Sequence, residues 1–175
     1  MKKLIIINGK GGVGKDTLID FLVESNRYKI INLSSITPIK EVAKQLGWKG
    51  DKDNKSRKFL SDLKKISADY NNYPVAYICN EYYKITDDAI VFAHIREPEE
   101  IKKCIELLND ENICTLLIKR DGISDTTIGN SSDDNVENYD YDAIYDNKFG
   151  IEYARDNFID FFERLLKEME RKYNE

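Results

Sequence analysis

Residues 9–15 read Gly9-Lys10-Gly11-Gly12-Val13-Gly14-Lys15, and they lie directly between an apolar run and a helical pattern. The apolar run, Leu4–Ile7, has the continuous hydrophobicity of a strand that is buried on both faces of a sheet. The glycines allow backbone angles that other residues avoid, so that successive N–H groups can point at one anion. A lysine and the positive end of the following helix add charge at the same point. The stretch therefore matches GxxxxGK in its required strand–loop–helix context and predicts a phosphate-binding loop.

The residues after this loop differ from the usual form of the motif. The lysine is commonly followed by Ser or Thr, whose hydroxyl binds Mg²⁺, whereas this chain has Asp16 and then Thr17. A carboxylate can reach Mg²⁺ directly or through water, since the ion prefers oxygen ligands and retains waters, or it can cap the helix. We expect ATP and Mg²⁺ as cofactors, with Lys15 between the β- and γ-phosphates and Asp16 as the candidate metal ligand. The predicted nucleotide-binding residues are Gly9, Lys10, Gly11, Gly12, Val13, Gly14, Lys15, Asp16 and Thr17.

Length and composition indicate one globular domain. The chain has 175 residues, of which 41% are hydrophobic and 34% charged, and this length suits a single α/β core. The net charge of −5 argues against a nucleic-acid partner, because such proteins usually carry a basic balance. The apolar run near the amino terminus is too short for a signal peptide, and no stretch is long enough for a membrane span. We therefore expect a cytoplasmic protein without membrane contact.

The cysteines and the single histidine argue against a protein-built metal site. Cys79, Cys104 and Cys114 are odd in number and show no CxxC spacing, so buried reduced thiols are expected. His94 is the only histidine and cannot form a histidine-based metal site alone. We expect it to be a hydrogen-bonded residue near the site.

Short apolar runs alternate with helical patterns along the whole chain, which implies right-handed crossovers and a parallel sheet with helices on both faces. The predicted strands lie at 4–7, 29–33, 89–93, 113–118 and 143–145. The predicted helices run from the loop to about 25, from a cap at Ser34 or Ser35 to Gly47, and over 57–70, 74–83, 98–108 and 151–172. We therefore expect an α/β protein with a three-layer P-loop fold around a five-stranded parallel sheet. Its core is predicted at 1–33, 85–119 and 141–175, with a helical insertion at 34–84 and an irregular loop at 120–140.

Several motifs occur in the order found in the nucleoside monophosphate kinase group. Gly14-Lys15-Asp16-Thr17 resembles the GKDT loop of its bacteriophage-type deoxynucleoside monophosphate kinases, which are related to P-loop small-metabolite kinases. Further stretches similar to the group are SSITPIKEVAKQL (34–46), Arg57-Lys58-Phe59-Leu60, Ile95–Glu100, Lys119-Arg120 and Asp142–Asn147. The resemblance spans most of the chain. It implies ATP-dependent phosphoryl transfer to a nucleoside or deoxynucleoside monophosphate, with 34–84 binding the acceptor and 120–140 acting as a lid.

Transfer between two phosphates needs positioning and charge stabilisation more than proton transfer. The acceptor oxygen is already ionised, so Lys, Arg and Mg²⁺ suffice without a general base. Arginine binds phosphate in bidentate geometry, which makes Arg57 and Arg96 candidates for the acceptor phosphate. The alternatives are a surface charge for Arg57 and a salt bridge from Arg96 to Glu99 or Glu100.

The remaining predicted site residues follow from the same resemblance. Ser34 joins Arg57 and Arg96 as a substrate-binding residue. The predicted catalytic residues are Lys15, Arg96 and Arg120, and Arg120 would stabilise the transferring group or stack on adenine. The predicted lid is unusual, because the chain has no Lys or Arg from 121 to 147 and many carboxylates there. Such a loop repels triphosphate unless Mg²⁺ bridges the two, and a solvated surface loop is the alternative.

Other interpretations of the loop remain open. Lys10 gives the loop a resemblance to the deviant Walker A motif of partitioning ATPases, but the second strand runs into Ser34 and Ser35 without the aspartate of those proteins. A kinase of another phosphorylated metabolite and a nucleotide-binding module without transfer activity fit the same loop. In each case the partners are small nucleotides, and the protein is expected to be a monomer or a homodimer.

Overall fold

The computed structural model describes residues 2–110, 112–121, 136–148 and 150–174. Its five strands are β1 (Lys3–Asn8), β2 (Ile30–Ser34), β3 (Ile90–His94), β4 (Ile113–Lys119) and β5 (Ala143–Asp146). They form one sheet in the order β2-β3-β1-β4-β5, and all neighbouring strands are parallel. The predicted five-stranded parallel sheet is confirmed, and each predicted strand overlaps an observed one.

In the described part of the chain, six helices follow the predicted alternation with the strands. They are α1 (Lys15–Glu24), α2 (Thr37–Gln45), α3 (Asn54–Asn71), α4 (Tyr73–Lys84), α5 (Pro98–Leu108) and α6 (Ile151–Asn174). Prolines at the first turns of α4 and α5 suit positions where the missing N–H is not needed. α3 begins earlier than predicted, because the carboxylate of Asp53 caps it by accepting a hydrogen bond of 2.7 Å from the N–H of Ser56.

The predicted serine cap of α2 is wrong. Ile36 occupies the N-cap position, and no side chain caps the helix. Ser34 still belongs to β2, and the N–H of Ser35 donates to the carbonyl of His94 at 3.2 Å, which extends the strand pairing by one residue. Both serines therefore lie before the helix rather than at its start.

The apolar residues of β1 alternate between two hydrophobic clusters on opposite faces of the sheet. Ile5 and Ile7 belong to the cluster that packs against α1 and α6. Leu4 and Ile6 belong to the cluster that packs against α4 and α5. All four side chains are at most 1% exposed, and full burial of such a side chain contributes about 1.5–3 kcal/mol. This arrangement fixes β1 at the centre and therefore fixes where the loop after it lies.

Other expectations have clear outcomes in the described part of the chain. The three cysteines are buried and free, as predicted. None of the described helices has the length and apolarity needed to cross a membrane. The block 34–84 contains α2, α3 and α4, but α4 contributes Val75, Ile78 and Tyr82 to the sheet-packed core. Most of the predicted lid, 122–135, lies outside the described residues.

Candidate functional site

The loop after β1 folds around the ammonium group of its own lysine. Nζ of Lys15 donates to the carbonyl oxygens of Gly9 at 2.5 Å and Lys10 at 3.0 Å. Gly9, Gly12 and Gly14 have φ angles of +148°, +81° and +94°, which side chains with a Cβ rarely adopt. The sequence motif therefore produces the expected backbone shape, with the cation inside the turn.

α1 begins directly at the end of this loop, so the amino terminus of the helix lies beside the glycine residues of the loop. Gly14 is the N-cap, and no side chain caps the helix, so the alternative in which Asp16 caps α1 is wrong. Asp16 instead lies in the first turn and is exposed. The first N–H groups of a helix without a side-chain cap are available to an anion, as phosphate sites require.

A buried asparagine at the end of β1 holds the loop to its neighbours. Asn8 is 0% exposed, and its Oδ1 accepts a hydrogen bond of 2.8 Å from the N–H of Gly9. Its Nδ2 donates to the carbonyl of Arg96 at 2.8 Å and to the hydroxyl of Tyr141 at 2.7 Å. Sequence analysis missed this residue, although a polar residue ending an apolar strand was a signal. Asn8 therefore connects the loop with the β3–α5 turn and with the segment before β5.

A second asparagine supports the loop near its other end. Asn147 follows β5, is 6% exposed and donates from Nδ2 to the carbonyl of Val13 at 2.8 Å. An added Cβ on Gly14 would meet this Nδ2 at 2.8 Å, so the glycine permits the close approach. The two asparagines thus brace residues 9 and 13 of the loop.

A cleft of about 970 Å³ opens at the carboxyl ends of the strands, where open parallel sheets usually bind ligands. One part of its wall comes from the loop and α1: Gly11, Gly12, Gly14, Lys15 and Asp16. The other part comes from β2, α2, α3 and the β3–α5 turn, and its polar members include Ser34, Ser35, Lys40, Arg57, Lys64, Lys65, Asp69, His94, Arg96, Glu97 and Glu100. The fold therefore brings the predicted donor and acceptor residues to one cavity.

The predicted site residues divide between those that line this cleft and those that do not. Lys15, Asp16, Ser34, Arg57 and Arg96 line it. The cavity wall does not include Gly9, Lys10, Val13, Thr17 or Arg120. Arg120 follows β4 and is exposed. Its predicted catalytic role therefore stays a prediction.

Charged residues of the loop, of α1 and of the β3–α5 turn all act on His94. Its Nε2 lies 3.2 Å from Oδ1 of Asn32 on the neighbouring strand. Burial lowers the pKa of His94; the negative charge of Asp16 opposes this shift, and the positive charges of Lys15 and Arg96 add to it. His94 is thus a hydrogen-bonded residue at the end of β3, and its surroundings disfavour the charged form of the ring.

The donor set suits a metal ion held mainly by a nucleotide. Among the described residues, no group of three His, Cys, Asp or Glu side chains could hold a metal. Mg²⁺ bound to substrate phosphates, however, needs only one or two carboxylates and keeps several waters. Asp16, exposed in the cleft beside Lys15, offers such an oxygen ligand.

Sequence reasoning missed several charged residues of the cleft. Lys40 on α2 and Lys65 on α3 line it, although each looked like an ordinary surface lysine. Lys64 forms an ion triad with two carboxylates of α5 and its N-cap: Nζ lies 2.5 Å from Oε2 of Glu97 and 2.8 Å from Oε2 of Glu100. Charges on amphipathic helices give no sequence signal that separates a cleft from solvent.

Comparisons with known proteins identify the fold. No protein-family model matches the chain, and no curated protein matches its sequence. A solved structure from Thermus thermophilus aligns with a TM-score of 0.53 and 15% identity over 95% of this chain and 97% of that one. A tunicamycin resistance protein from Deinococcus radiodurans gives 0.51 and 13% over 90% and 94%. A kinase candidate from Chloroflexus aurantiacus gives 0.52 and 15% over 95% and 97%. At these identities the likeness concerns the fold, and the predicted three-layer P-loop fold is confirmed.

Proposed function

We propose that the protein transfers the γ-phosphoryl group of ATP to the phosphate of a nucleoside or deoxynucleoside monophosphate. The proposal rests on one observation, which is that two separate groups of predicted phosphate-binding residues line the same cleft. The phosphate-binding loop forms one part of the wall, and cations of α2, α3 and the β3–α5 turn form another. A protein that only bound a triphosphate would need the first part alone. Two phosphate groups that meet for transfer need both.

The donor side would be built by the loop and α1. Backbone N–H groups of residues 9–14 and the ammonium of Lys15 would hold the β- and γ-phosphates. Asp16 would contact Mg²⁺ directly or through a water, with Thr17 beside it on the first turn. The bound metal would supply charge neutralisation on the phosphate oxygens.

The acceptor side would be built by Ser34, Arg57 and Arg96. The guanidinium groups would hold the acceptor phosphate, whose oxygen attacks the γ-phosphorus while the bond to the bridging oxygen of ADP breaks. The products are ADP and a nucleoside diphosphate, and no proton has to be removed. Arg120 would approach the transferring group from the end of β4.

A coupled ADP-release assay tests this proposal. The purified protein is incubated with ATP, Mg²⁺ and each common ribonucleoside or deoxyribonucleoside monophosphate. We expect turnover with at least one acceptor and none in Lys15→Ala, because the donor phosphates lose their cation. Turnover of every acceptor at the level of Lys15→Ala would refute the proposal.

One sequence feature favours a second candidate, a nucleotide-binding module without transfer activity. The chain has no Lys or Arg from 121 to 147. In the nucleoside monophosphate kinases that the sequence resembles, arginines of this region close on the phosphates. This candidate predicts that ATP or ADP raises the melting temperature of the protein while no acceptor is phosphorylated. A kinase of another phosphorylated metabolite is tested by the same ADP-release assay with a panel of such metabolites as acceptors.

A further inference from the structure

The ion triad of Lys64, Glu97 and Glu100 has no role in the phosphate chemistry proposed above. All three residues line the cleft, although the Lys64 and Glu100 side chains are only 12% and 11% exposed. Removing charges from water is costly, and such clusters often contribute little to stability compared with apolar residues. Two carboxylates also repel a phosphate. The triad therefore suits contact with an uncharged part of the acceptor.

The spacing along α3 separates the triad from a phosphate-binding residue. Arg57, Ser61, Lys64 and Ala68 recur at helical intervals and line the cleft, so one face of α3 forms part of its wall. Lys64 lies seven positions after Arg57, which corresponds to about 10 Å along a helix axis. This separation is comparable to the distance between the phosphate and the base of a nucleotide. A monophosphate held at Arg57 can thus place its base near Lys64.

The triad contains one hydrogen-bond donor group, the ammonium of Lys64, and two acceptor groups, the carboxylates of Glu97 and Glu100. An ammonium group offers three N–H donors and no acceptor, whereas each carboxylate offers two oxygens with several lone pairs. Lys64 and the Oε2 atoms of both glutamates partly satisfy one another. Oε2 of Glu100 is buried and lies 2.8 Å from Nζ of Lys64. Each carboxylate also has a second oxygen, so acceptor capacity remains in the triad.

We propose that Lys64, Glu97 and Glu100 recognise the base of the acceptor and select guanine. The edge of guanine offers the O6 acceptor next to the N1–H and N2–H₂ donors, which matches one ammonium and two carboxylates. Uracil and thymine place a second carbonyl oxygen against a carboxylate, and cytosine and adenine offer fewer matching donors. The inference rests on the proposed function, because it assumes that the acceptor is a nucleotide.

Equilibrium binding of monophosphates by isothermal titration calorimetry tests the inference without requiring transfer. Burial raises the pKa of Glu100 to about 7, with Glu97 adding to the shift and Lys64 opposing it. The titrations are therefore run at about pH 8, where the carboxylate is ionised. We expect GMP or dGMP to bind about tenfold or more tightly than the AMP, CMP and UMP counterparts. IMP, which lacks the 2-amino group, should fall between them.

Variants test whether the triad causes this preference. Glu97→Gln and Glu100→Gln should each lower GMP affinity, and at least one should reduce the ratio of GMP to IMP affinity about tenfold. Glu99→Gln is the matched control, because Glu99 is on the same turn, 86% exposed and paired with Lys102. Circular dichroism spectra and melting curves would establish that the variants are folded. A triad that only joins α3 to α5 would leave the GMP to IMP ratio unchanged.

The outcomes separate this inference from the proposed function. GMP binding no tighter than that of the other monophosphates overturns the inference, even if phosphoryl transfer occurs. An unchanged GMP to IMP ratio in both triad variants overturns it as well. Absence of turnover with selective GMP binding overturns the transfer proposal and supports the base site.

Discussion

Replacement of Gly9 by alanine tests whether the loop depends on its close approach to β4. Gly9 has a φ of +148°, and an ideal Cβ on it would lie 2.5 Å from the carbonyl oxygen of Ile118. Ordinary van der Waals contact begins at 3.4 Å, so the two backbones would have to separate by about 0.9 Å. The obstacle is the backbone of β4, an interior strand of the sheet, and it cannot rotate away as a side chain could.

The expected cost has two parts. An L-residue with this φ is strained by about 1–3 kcal/mol. Overpacking against a fixed neighbour adds about 1–3 kcal/mol. The free energy of unfolding should therefore fall by about 2–6 kcal/mol in Gly9→Ala. Gly50→Ala is the matched control, because Gly50 also has a positive φ of +97° but no atom within 4 Å of an added Cβ. It should lose only about 1–2 kcal/mol.

Urea titration followed by circular dichroism measures both losses, and melting curves with and without ADP measure nucleotide binding. Gly9→Ala should also lose most of the stabilisation by ADP, because the Gly9 carbonyl accepts a hydrogen bond from Lys15. Gly50→Ala should retain it. Equal losses of unfolding free energy in the two variants would refute the close approach of the loop to β4.

Three further predictions concern other parts of the site. Arg57→Ala should raise the acceptor KM about tenfold or more, because a charged hydrogen bond to the acceptor phosphate is lost. Lys58→Ala is the control and should leave the KM unchanged, since the Lys58 side chain is 77% exposed and is not part of the cleft wall. Steady-state kinetics measures both values. Asn8→Ala should lower the free energy of unfolding by about 2–4 kcal/mol, because a fully buried amide loses three hydrogen bonds; a loss under about 1 kcal/mol in urea titration would contradict this. The pKa of Glu100 is raised by burial to about 7, so the folded state binds this proton more tightly than the unfolded state and loses stability as the pH rises from about 4.5 to about 7. Glu100→Gln should flatten that part of the pH profile of the unfolding free energy, and superimposable profiles would count against it.

The strands were predictable because their surroundings are uniform. β1, β3 and β4 are buried on both faces, so they appear in the sequence as continuous apolar runs. The order of the strands was not predictable, since β2 lies beside β3 rather than beside β1. A parallel connection fixes the hand of a crossover, but its length does not determine which strand becomes the neighbour.

The start of α3 shows where local signals were present but concealed. The tract at 49–55 is rich in lysine, as solvated turns often are, yet Asp53 stands three residues before Ser56 and caps the helix. The charged residues of the cleft that the motifs did not include could not be found from local signals. Lys40 and Lys65 have the same helical spacing as solvated residues, and only the position of α2 and α3 across the strand ends brings them into the cleft.

The charge of the cleft explains why transfer should depend on a metal. The described wall contains the cations Lys15, Lys40, Arg57, Lys64, Lys65 and Arg96 and the carboxylates Asp16, Asp69, Glu97 and Glu100. Six cations against four carboxylates leave two positive charges, and Arg120 would add a third, which is still fewer than the negative charges that a triphosphate and a monophosphate bring together. The sequence from 121 to 147 cannot add more, because it has no Lys or Arg. The remaining charge has to arrive with the substrate, as Mg²⁺ on the triphosphate. Excess EDTA should therefore reduce ADP release to the level of Lys15→Ala, and activity that persists in EDTA would contradict this charge balance.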